Sequence, residues 1–254
     1  MEFRKVFDQI PEQFDRWRPR YCDAAFRDII AASGLNDSRC ALEIGPGTGQ
    51  ATEPILRTGC DNLAIELGPH LAAFAENRFR GYENFHIVND DFITHDFGDR
   101  QFDLVYSAAT IQWIPEEVAF PKAYRLLRPG GILAMMYTSS EYRTSDEALY
   151  EAIQRVYDRH FRPEEKYSCH MEYENAVYYG FEKPERREYA GQRAFTAEEY
   201  AAYIGTHCDH ITLPEPHRTQ FYDGVREAIR RAGDRLVLND TVVLYLARKP
   251  LKEE

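Results

Sequence analysis

Short apolar runs and amphipathic segments alternate along the first half of the chain. The apolar runs are five or six residues long, as expected for strands buried inside a sheet. One amphipathic segment, Ala24–Ser33, reads as a helix that ends at Gly34. Its inward-facing residues are Phe26, Ile29 and Ile30. Strands that alternate with helices form a parallel sheet with right-handed crossovers. The predicted strands are Cys40–Ile44, Asn62–Glu66, Phe85–Asn89, Phe102–Ser107 and Ile132–Met136.

The pattern changes after Thr144, where helical segments predominate. Thr144-x-x-Glu147 and Thr196-x-x-Glu199 have the spacing of a capping box, in which both side chains satisfy N–H groups at a helix start. A third helix is predicted over Pro216–Ala232. The helix after Thr144 carries an apolar stripe at helical spacing, made of Leu149, Ile153, Val156 and Tyr157.

Two strand-like stretches near the end of the chain, Arg186–Ala194 and Thr241–Ala247, are expected to close the sheet as an antiparallel hairpin. We therefore predict a single α/β domain over residues 1–254, with a Rossmann-like sheet flanked by helices. Its parts are a ligand-binding core (1–140), a helical insertion (141–180), and further helices with the closing strands (181–254). The insertion is either a lid over the ligand crevice or extra packing at an edge.

A glycine-rich turn follows the first predicted strand directly. Gly45, Gly47 and Gly49 alternate with other residues, and a helix is predicted over Ala51–Thr58. Glycine permits positive φ and close approach of a ligand, and the N–H groups at a helix start favour negative charge. This arrangement predicts a nucleotide-binding loop, although glycine clusters also form plain tight turns. Glu43, two residues before the first glycine, strengthens the nucleotide interpretation.

Carboxylates end the next two predicted strands. Glu66 ends the second strand, where a carboxylate can accept hydrogen bonds from both hydroxyls of a ribose. Asp90 and Asp91 follow the third strand, and Asp91 with Phe92 could hold an adenine ring. The alternatives are a surface glutamate at position 66 and turn-forming aspartates at positions 90 and 91.

Composition narrows the class of protein. A chain of 254 residues with 44% hydrophobic residues can bury one sizeable core. The formal net charge of −11 opposes general nucleic-acid binding, which needs clustered Lys and Arg. Apolar runs are too short for a membrane span, and five cysteines without a C-x-x-C motif suggest a reducing cytoplasm. We therefore expect a cytoplasmic protein without nucleic-acid or membrane partners.

The run from His207 to His210 contains two histidines, a cysteine and an aspartate, which are possible zinc ligands. Neighbouring residues in such a run cannot easily converge on one ion, even with His217 or the Cys169–His170 pair added. We therefore predict no metal site. His210 is either a general base that reaches a substrate or a histidine satisfied within the core.

The motifs together resemble those of the class I S-adenosylmethionine-dependent methyltransferases, in the family's order. They are Glu43 to Gly49, the acidic end of the second strand, Asp90-Asp91-Phe92, Phe102 to Ser107, and Leu126 to Gly131. More narrowly, Phe14 to Tyr21 and Ile111 to Pro115 resemble the small-molecule branch near the trans-aconitate-type enzymes. One departure is Gln112, where many relatives carry histidine before the tryptophan.

The resemblance implies a seven-stranded sheet of order 3-2-1-4-5-7-6 and S-adenosylmethionine as cofactor, with S-adenosylhomocysteine as product. It places Arg18 and Tyr21 at the cofactor's carboxylate end, with Trp17 beside them. Candidate groups on the acceptor side are Trp113, Tyr21, Tyr137 and His210. Implied cofactor-binding residues are Arg18, Tyr21, Glu43, Gly45, Pro46, Gly47, Gly49, Glu66, Leu67, Asp91, Phe92 and Ser107.

The implied activity is methyl transfer to a small-molecule acceptor, and the sequence leaves open whether O, N, C or S is methylated. The cofactor supplies an activated methyl group, so the protein mainly positions and desolvates the reactants. Two alternatives stay open: a cofactor-binding relative without transfer activity, and an NAD-dependent oxidoreductase. Against the oxidoreductase stand the spacing of the third glycine, Asp91 and the closing hairpin. A monomer and a homodimer are equally compatible with the sequence.

Overall fold

The computed structural model describes residues 3–143, 146–163 and 171–251. Short 3-10 helices cover Phe3–Gln9, Ile111–Trp113 and Tyr173–Tyr179. The α-helices are α1 (Pro11–Trp17), α2 (Asp23–Ser33), α3 (Thr52–Leu56), α4 (Pro69–Phe79), α5 (Glu116–Leu126), α6 (Glu147–His160), α7 (Ala197–Ile204), α8 (Cys208–Ile211) and α9 (His217–Arg231). The strands are β1 (Cys40–Ile44), β2 (Asp61–Glu66), β3 (Phe85–Asn89), β4 (Phe102–Ala108), β5 (Leu127–Glu141), β6 (Glu185–Phe195) and β7 (Leu236–Arg248).

The strands form one seven-stranded sheet of order β3-β2-β1-β4-β5-β7-β6, as predicted. The pairs β1–β2, β2–β3, β1–β4 and β4–β5 are parallel. Side chains show that β6 and β7 run in opposite directions. Arg186 bonds Tyr245, whereas Gln192, six residues later, bonds Asn239, six residues earlier. The predicted antiparallel closing hairpin is therefore confirmed.

The chain divides into two compact units. The core unit consists of Pro19–Thr138, Cys169–Tyr189 and Val242–Glu254. The helical unit consists of Met1–Arg18, Ser139–Ser168 and Ala190–Thr241. The predicted insertion over 141–180 is split by this division, because α6 belongs to the helical unit and Tyr173–Tyr179 to the core unit. A single domain and a lid stay predictions.

The core unit buries both faces of its sheet, because successive strand residues point to opposite sides. Leu133 and Met135 of β5 join one apolar cluster, whereas Ile132 and Ala134 join the other. Helix α5 covers the first face with Phe120, and α2 and α3 cover the second. The central strands are therefore largely buried, and polar residues buried inside them need a specific partner.

The helical unit has a core of its own, built from the predicted stripes. Leu149 and Ile153 of α6 pack with Phe221 and Val225 of α9, together with aromatic residues of α7. The predicted capping box at Thr196 is present at the start of α7. These contacts explain why the helical spacing after residue 146 was readable in the sequence.

Some predicted boundaries differ from the structure. Helix α3 is shorter than the predicted Ala51–Thr58, and beyond its end the Thr58 hydroxyl donates to the Ile55 carbonyl at 2.7 Å. Strand β5 begins at Leu127, inside the predicted turn, and continues to Glu141. Helix α6 begins at Glu147 with Asp146 as its N-cap. Thr144, the predicted cap, lies outside the described residues, as do Cys169 and His170.

Candidate functional site

The glycine loop after β1 is held by contacts within the core unit. Gly45, Gly47 and Gly49 have φ of 65°, 59° and 91°, so all three adopt the left-handed conformation expected of glycine. A Cβ on Gly45 would lie 2.2 Å from Thr110 Cγ2, and one on Gly49 would lie 2.3 Å from Phe79 Cε2. Packing within the protein therefore requires glycine at both positions.

The N–H groups of this loop are also engaged within the protein. Gly49 N–H donates to the Pro46 carbonyl at 2.8 Å, and Gly47 N–H donates to Glu66 Oε2 at 3.0 Å. Helix α3 begins at Thr52 and has five residues. The N–H groups of Gly47 and Gly49 therefore hold the loop itself, and the role of the N–H groups at the start of α3 stays a prediction.

Glu66 connects the ends of β1 and β2. Its other carboxylate oxygen, Oε1, accepts from Gly68 N–H at 2.9 Å, and the residue is only 7% exposed. The alternative of a solvated surface glutamate is therefore wrong. A carboxylate oxygen can accept more than one hydrogen bond, so these contacts are compatible with ribose recognition. Glu66 also orders the loop, which the sequence did not indicate.

Glu43 is buried beneath the loop with two hydroxyl partners. Its Oε2 accepts from Thr52 Oγ1 at 2.7 Å and from the Tyr106 hydroxyl at 2.9 Å. Burial raises the pKa of Glu43 to about 7, against the opposing effect of these two hydrogen bonds and with a contribution from the charge of Glu66. These contacts make Glu43 an internal anchor of the loop.

We expect Glu43 to make the free energy of unfolding depend on pH. Between pH 4.5 and about 7, the folded protein keeps a proton that the unfolded chain releases, so stability decreases as the pH rises. A pKa difference of about 2.5 corresponds to roughly 3 kcal/mol. The free energy of unfolding of the wild type, measured with urea, should therefore decrease relative to that of Glu43→Gln as the pH rises across this window. The exposed Glu83→Gln is the control, and equal slopes in the wild type and Glu43→Gln would contradict the prediction.

The acidic residues after β3 form a tight turn. Asp91 Oδ1 accepts from Ile93 N–H at 2.9 Å, and Asp90 Oδ2 pairs with His95 Nδ1 at 2.8 Å. The hydrogen bond from His95 lowers the pKa of Asp90. Phe92 is buried, with Lys122 Nζ 5.1 Å from its ring centroid. The turn-forming alternative is thus observed, and the adenine-binding role of Asp91 and Phe92 stays a prediction.

The end of β4 is tied to β1 by Ser107. Its Oγ donates to the Ile44 carbonyl at 3.2 Å and accepts from Ile111 N–H at 2.9 Å. The segment after it forms the short 3-10 helix that ends at Trp113, which is half-buried. Ser107 therefore sets the direction in which the chain leaves the sheet beside the glycine loop.

A stack of tyrosines lies near the end of β5. Tyr137 stacks on Tyr173 with ring centroids 5.2 Å apart, and Tyr173 stacks on Tyr245 at 5.1 Å. The Tyr173 hydroxyl donates to Gln112 Oε1 at 3.4 Å. Burial raises the pKa of Tyr137. The structure thus joins Tyr137 to Gln112, the neighbour of Trp113, through a residue that the sequence interpretation missed.

The remaining core-unit candidates make mainly structural contacts. Tyr21 is half-buried and packs against the apolar cluster of α2. The Leu67 carbonyl accepts from Asn89 Nδ2 at 3.1 Å, and the Pro46 carbonyl belongs to the glycine turn. Their proposed contacts with a cofactor stay predictions.

Three of the candidates named from the sequence belong to the helical unit. Trp17 packs against that unit's core, and Arg18 Cζ lies 5.3 Å from the Phe14 ring centroid. His210 is buried, with Nε2 2.9 Å from the Tyr157 hydroxyl and Nδ1 2.7 Å from Asp209 Oδ1. Both ring nitrogens have partners, as the alternative of a satisfied core histidine requires. Among residues 3–143, 146–163 and 171–251, no cluster of three or more His, Cys, Asp and Glu residues could hold a metal ion.

Sequence reasoning missed Thr110, Tyr106 and Tyr173. Thr110 also donates from Oγ1 to the Gly45 carbonyl at 3.0 Å. Each of these residues is distant in sequence from the residue that it contacts: Thr110 from Gly45, Tyr106 from Glu43, and Tyr173 from Tyr137. Only Tyr106 carried a signal, since a hydroxyl-bearing residue inside a buried strand needs a hydrogen-bond partner.

No helix in the described part of the chain is long and apolar enough to cross a membrane.

Comparison with known proteins shows similarity to methyltransferases over part of the chain. Residues 42–135 match the family model described as a methyltransferase domain. A malonyl-[acyl-carrier protein] O-methyltransferase from a Marinomonas species is 31% identical over 134 residues, covering 51% of this chain and 49% of that protein. A probable ribosomal RNA small subunit methyltransferase A from Methanosarcina mazei is 35% identical over 107 residues, covering 42% of this chain and 37% of that protein.

A solved structure agrees in fold. Phosphoethanolamine N-methyltransferase 2 from Haemonchus contortus, bound to phosphomonomethylethanolamine and S-adenosylhomocysteine, matches with a TM-score of 0.59 and 18% identity. The match covers 98% of this chain and 60% of that one. The chain spans about half the length of the first curated relatives that it matches. Its residues 42–135 are thus similar to a methyltransferase domain, and its sheet has the fold of a solved methyltransferase.

Proposed function

We propose that this protein binds S-adenosylmethionine and transfers its methyl group to a small-molecule acceptor. The observation that carries the proposal is the position of Glu66. Its carboxylate ends β2 and holds the glycine loop through Gly47, inside a matched methyltransferase domain. This arrangement puts a buried acceptor of hydrogen bonds beside the loop, where a ribose needs one.

The described residues fit the cofactor in several respects. Glu66 would accept from the ribose hydroxyls, and Asp91 with the buried Phe92 would hold the adenine. Gly45, Gly47 and Gly49, with Pro46, would lie under the methionine and ribose portion. Ser107 and Glu43 would act indirectly, because both hold the loop and the strand ends in place.

The chemistry requires positioning more than catalytic groups. The bound cofactor supplies a methyl group activated by its sulfonium sulfur. An acceptor must then lie in line with the bond that breaks, and water must be excluded. A base is needed only for an acceptor that must lose a proton. Trp113 and Tyr137 are the core-unit residues that we propose to contact the acceptor.

The charge of the chain favours a small acceptor over RNA. One matched relative is named as a ribosomal RNA methyltransferase, but this chain has a net charge of −11. RNA binding depends on basic residues that neutralise phosphates. Another matched relative is named as a malonyl-[acyl-carrier protein] O-methyltransferase. A small acyl group on a carrier protein is therefore as good a candidate acceptor as a free metabolite.

The decisive experiment combines binding with turnover. Calorimetric titration should show saturable binding of S-adenosylmethionine and S-adenosylhomocysteine, and none of NADH. Release of S-adenosylhomocysteine should then rise with at least one member of a metabolite and acyl-carrier panel, and not with a small-subunit ribosomal RNA fragment. NADH binding alone would contradict the cofactor assignment. Cofactor binding without release over any member of the panel would favour a non-catalytic relative, and release on the RNA alone would overturn the small-molecule acceptor.

A further inference from the structure

A lysine on α5 holds the acidic loop after β3 from the side. Lys122 Nζ donates to the Ile93 carbonyl at 3.1 Å and to the His95 carbonyl at 2.7 Å. The loop over residues 90–101 contains no helix or strand, so its carbonyl groups lack the partners that regular structure provides. Lysine carries three N–H donors on one side chain, and Lys122 uses two of them to tie this loop to α5.

The same ammonium group faces two buried aromatic rings of the loop. Lys122 Nζ lies 5.1 Å from the ring centroid of Phe92 and 5.4 Å from that of Phe97. The two ring centroids are 5.9 Å apart, and both residues are buried. A cation within about 6 Å of a ring centroid is attracted by the negative face of the ring. Lys122 therefore holds the side chain of Phe92 as well as the backbone of the loop.

The positive charge of Lys122 lies among the carboxylates of the loop. Burial lowers the pKa of Lys122, and the positive charge of Arg125 lowers it further. The charges of Asp91, Asp96 and Asp90 act in the opposite direction and favour the ammonium form. Because three carboxylates surround this position, a cation suits it better than a neutral hydrogen-bond donor of similar length.

Lys122 is linked to the Asp91 carboxylate through a single residue. Asp91 Oδ1 accepts from Ile93 N–H at 2.9 Å, and the carbonyl of Ile93 accepts from Lys122. A displacement of the Ile93 backbone would therefore change the position of the carboxylate. Lys122 thus restrains both residues that we expect to hold the adenine, Asp91 through the backbone and Phe92 through its ring.

We propose that Lys122 is a positioning residue for the cofactor's adenine, which it selects over other purines by fixing the Asp91 carboxylate. This inference rests on the proposed binding of S-adenosylmethionine. Asp91 would accept a hydrogen bond from the exocyclic amino group of adenine. Hypoxanthine has a carbonyl oxygen in place of that amino group, so it would set two acceptors against each other. The discrimination depends on how firmly the carboxylate is held, and Lys122 acts on it through the loop.

The first test is calorimetric titration of the full chain with S-adenosylhomocysteine and with S-inosylhomocysteine. The wild type should bind the adenine compound at least about tenfold more tightly, because the hypoxanthine compound leaves the carboxylate without its donor. Lys122→Met keeps the length of the side chain but removes its charge and N–H donors, and should lower this affinity ratio by at least about threefold. Lys122→Arg keeps the charge and the donors and should keep most of the ratio. A partly unfolded variant would bind both compounds more weakly by the same factor, so the ratio separates positioning from loss of structure.

The second test is hydrogen exchange of the loop in the absence of cofactor. The N–H groups of Thr94 and His95 donate to the Asp91 carbonyl, and that of Ile93 donates to the Asp91 carboxylate. These three amides should exchange at least about threefold faster in Lys122→Met, because the backbone that carries them loses its anchor on α5. Unchanged exchange would show that Lys122 does not restrain the loop and would overturn the inference.

The matched control is Arg125→Met. Arg125 lies on the same helix and carries the same charge, but it is exposed, and its loss should change neither the affinity ratio nor the exchange rates. Equal effects of the Arg125 and Lys122 variants would reduce the result to general charge and overturn the inference. A wild-type ratio in Lys122→Met, or equal losses in Lys122→Met and Lys122→Arg, would also overturn it. A wild type that binds both compounds equally would remove the adenine role of Asp91 and Lys122 alone, whereas one that binds neither would contradict the proposed function itself.

Discussion

Gly45→Ala should destabilise the protein by about 2–5 kcal/mol. The residue has φ of 65°, which costs an alanine roughly 1–2 kcal/mol. Its new Cβ would lie 2.2 Å from Thr110 Cγ2, and overpacking of this kind costs about 1–3 kcal/mol. Thr110 cannot simply rotate away, since its Oγ1 donates to the Gly45 carbonyl. Urea unfolding measures the loss of unfolding free energy, provided that the dependence of this free energy on urea concentration is the same in the variant and the wild type.

Gly98→Ala is the matched control for backbone strain. Gly98 has φ of 58°, but a Cβ at that position has nothing within 4 Å. Its alanine variant should lose only the roughly 1–2 kcal/mol of conformational strain. Adding Thr110→Ala to Gly45→Ala should recover part of the steric cost by removing the contacting methyl group. Equal destabilisation of the Gly45 and Gly98 variants would show that contact with Thr110 contributes nothing.

Glu66→Ala should lower both the stability of the loop and the affinity for S-adenosylmethionine. The substitution removes the acceptor of Gly47 N–H and Gly68 N–H, and an unsatisfied buried N–H costs about 1–3 kcal/mol. We therefore expect a loss of about 2–4 kcal/mol in the free energy of unfolding. Affinity should fall by at least about tenfold, because a charged acceptor of the ribose hydroxyls is lost as well.

Two further variants separate the roles of Glu66. Glu66→Gln keeps one carbonyl acceptor but presents an amide N–H₂ to the other backbone N–H. Its losses of stability and of S-adenosylmethionine affinity should therefore be smaller than those of Glu66→Ala. Glu83→Ala, at an exposed glutamate, should change neither quantity. Calorimetry must be carried out well below the unfolding transition of each variant, so that loss of fold is not scored as loss of binding. An unchanged affinity in folded Glu66→Ala would remove Glu66 from the cofactor site and leave it as a loop anchor.

The elements of the core unit were readable because each depends on local pattern. The predicted bounds of β1 to β4 lie within a residue of the observed ones, because each strand is a short, mainly apolar run that ends at polar or turn-forming residues. The strand order came from resemblance, because spacing alone does not determine which strands pair. Strand β5 was placed too short because Pro129 and two glycines read as a turn, yet these residues continue the strand.

The sequence by itself determined the candidate site: a glycine loop after β1, a carboxylate at the end of β2 and acidic residues after β3. These groups could be predicted because the conformational freedom of glycine and the charge of a carboxylate belong to the residue type, and their order along the chain shows which strand each follows. Only the tertiary structure decided how these groups are used. Glu43 meets Tyr106, and Gly45 meets Thr110, across more than sixty residues of chain. Contacts between such distant segments depend on how the folded chain packs, and local propensity and hydrophobic pattern do not specify them.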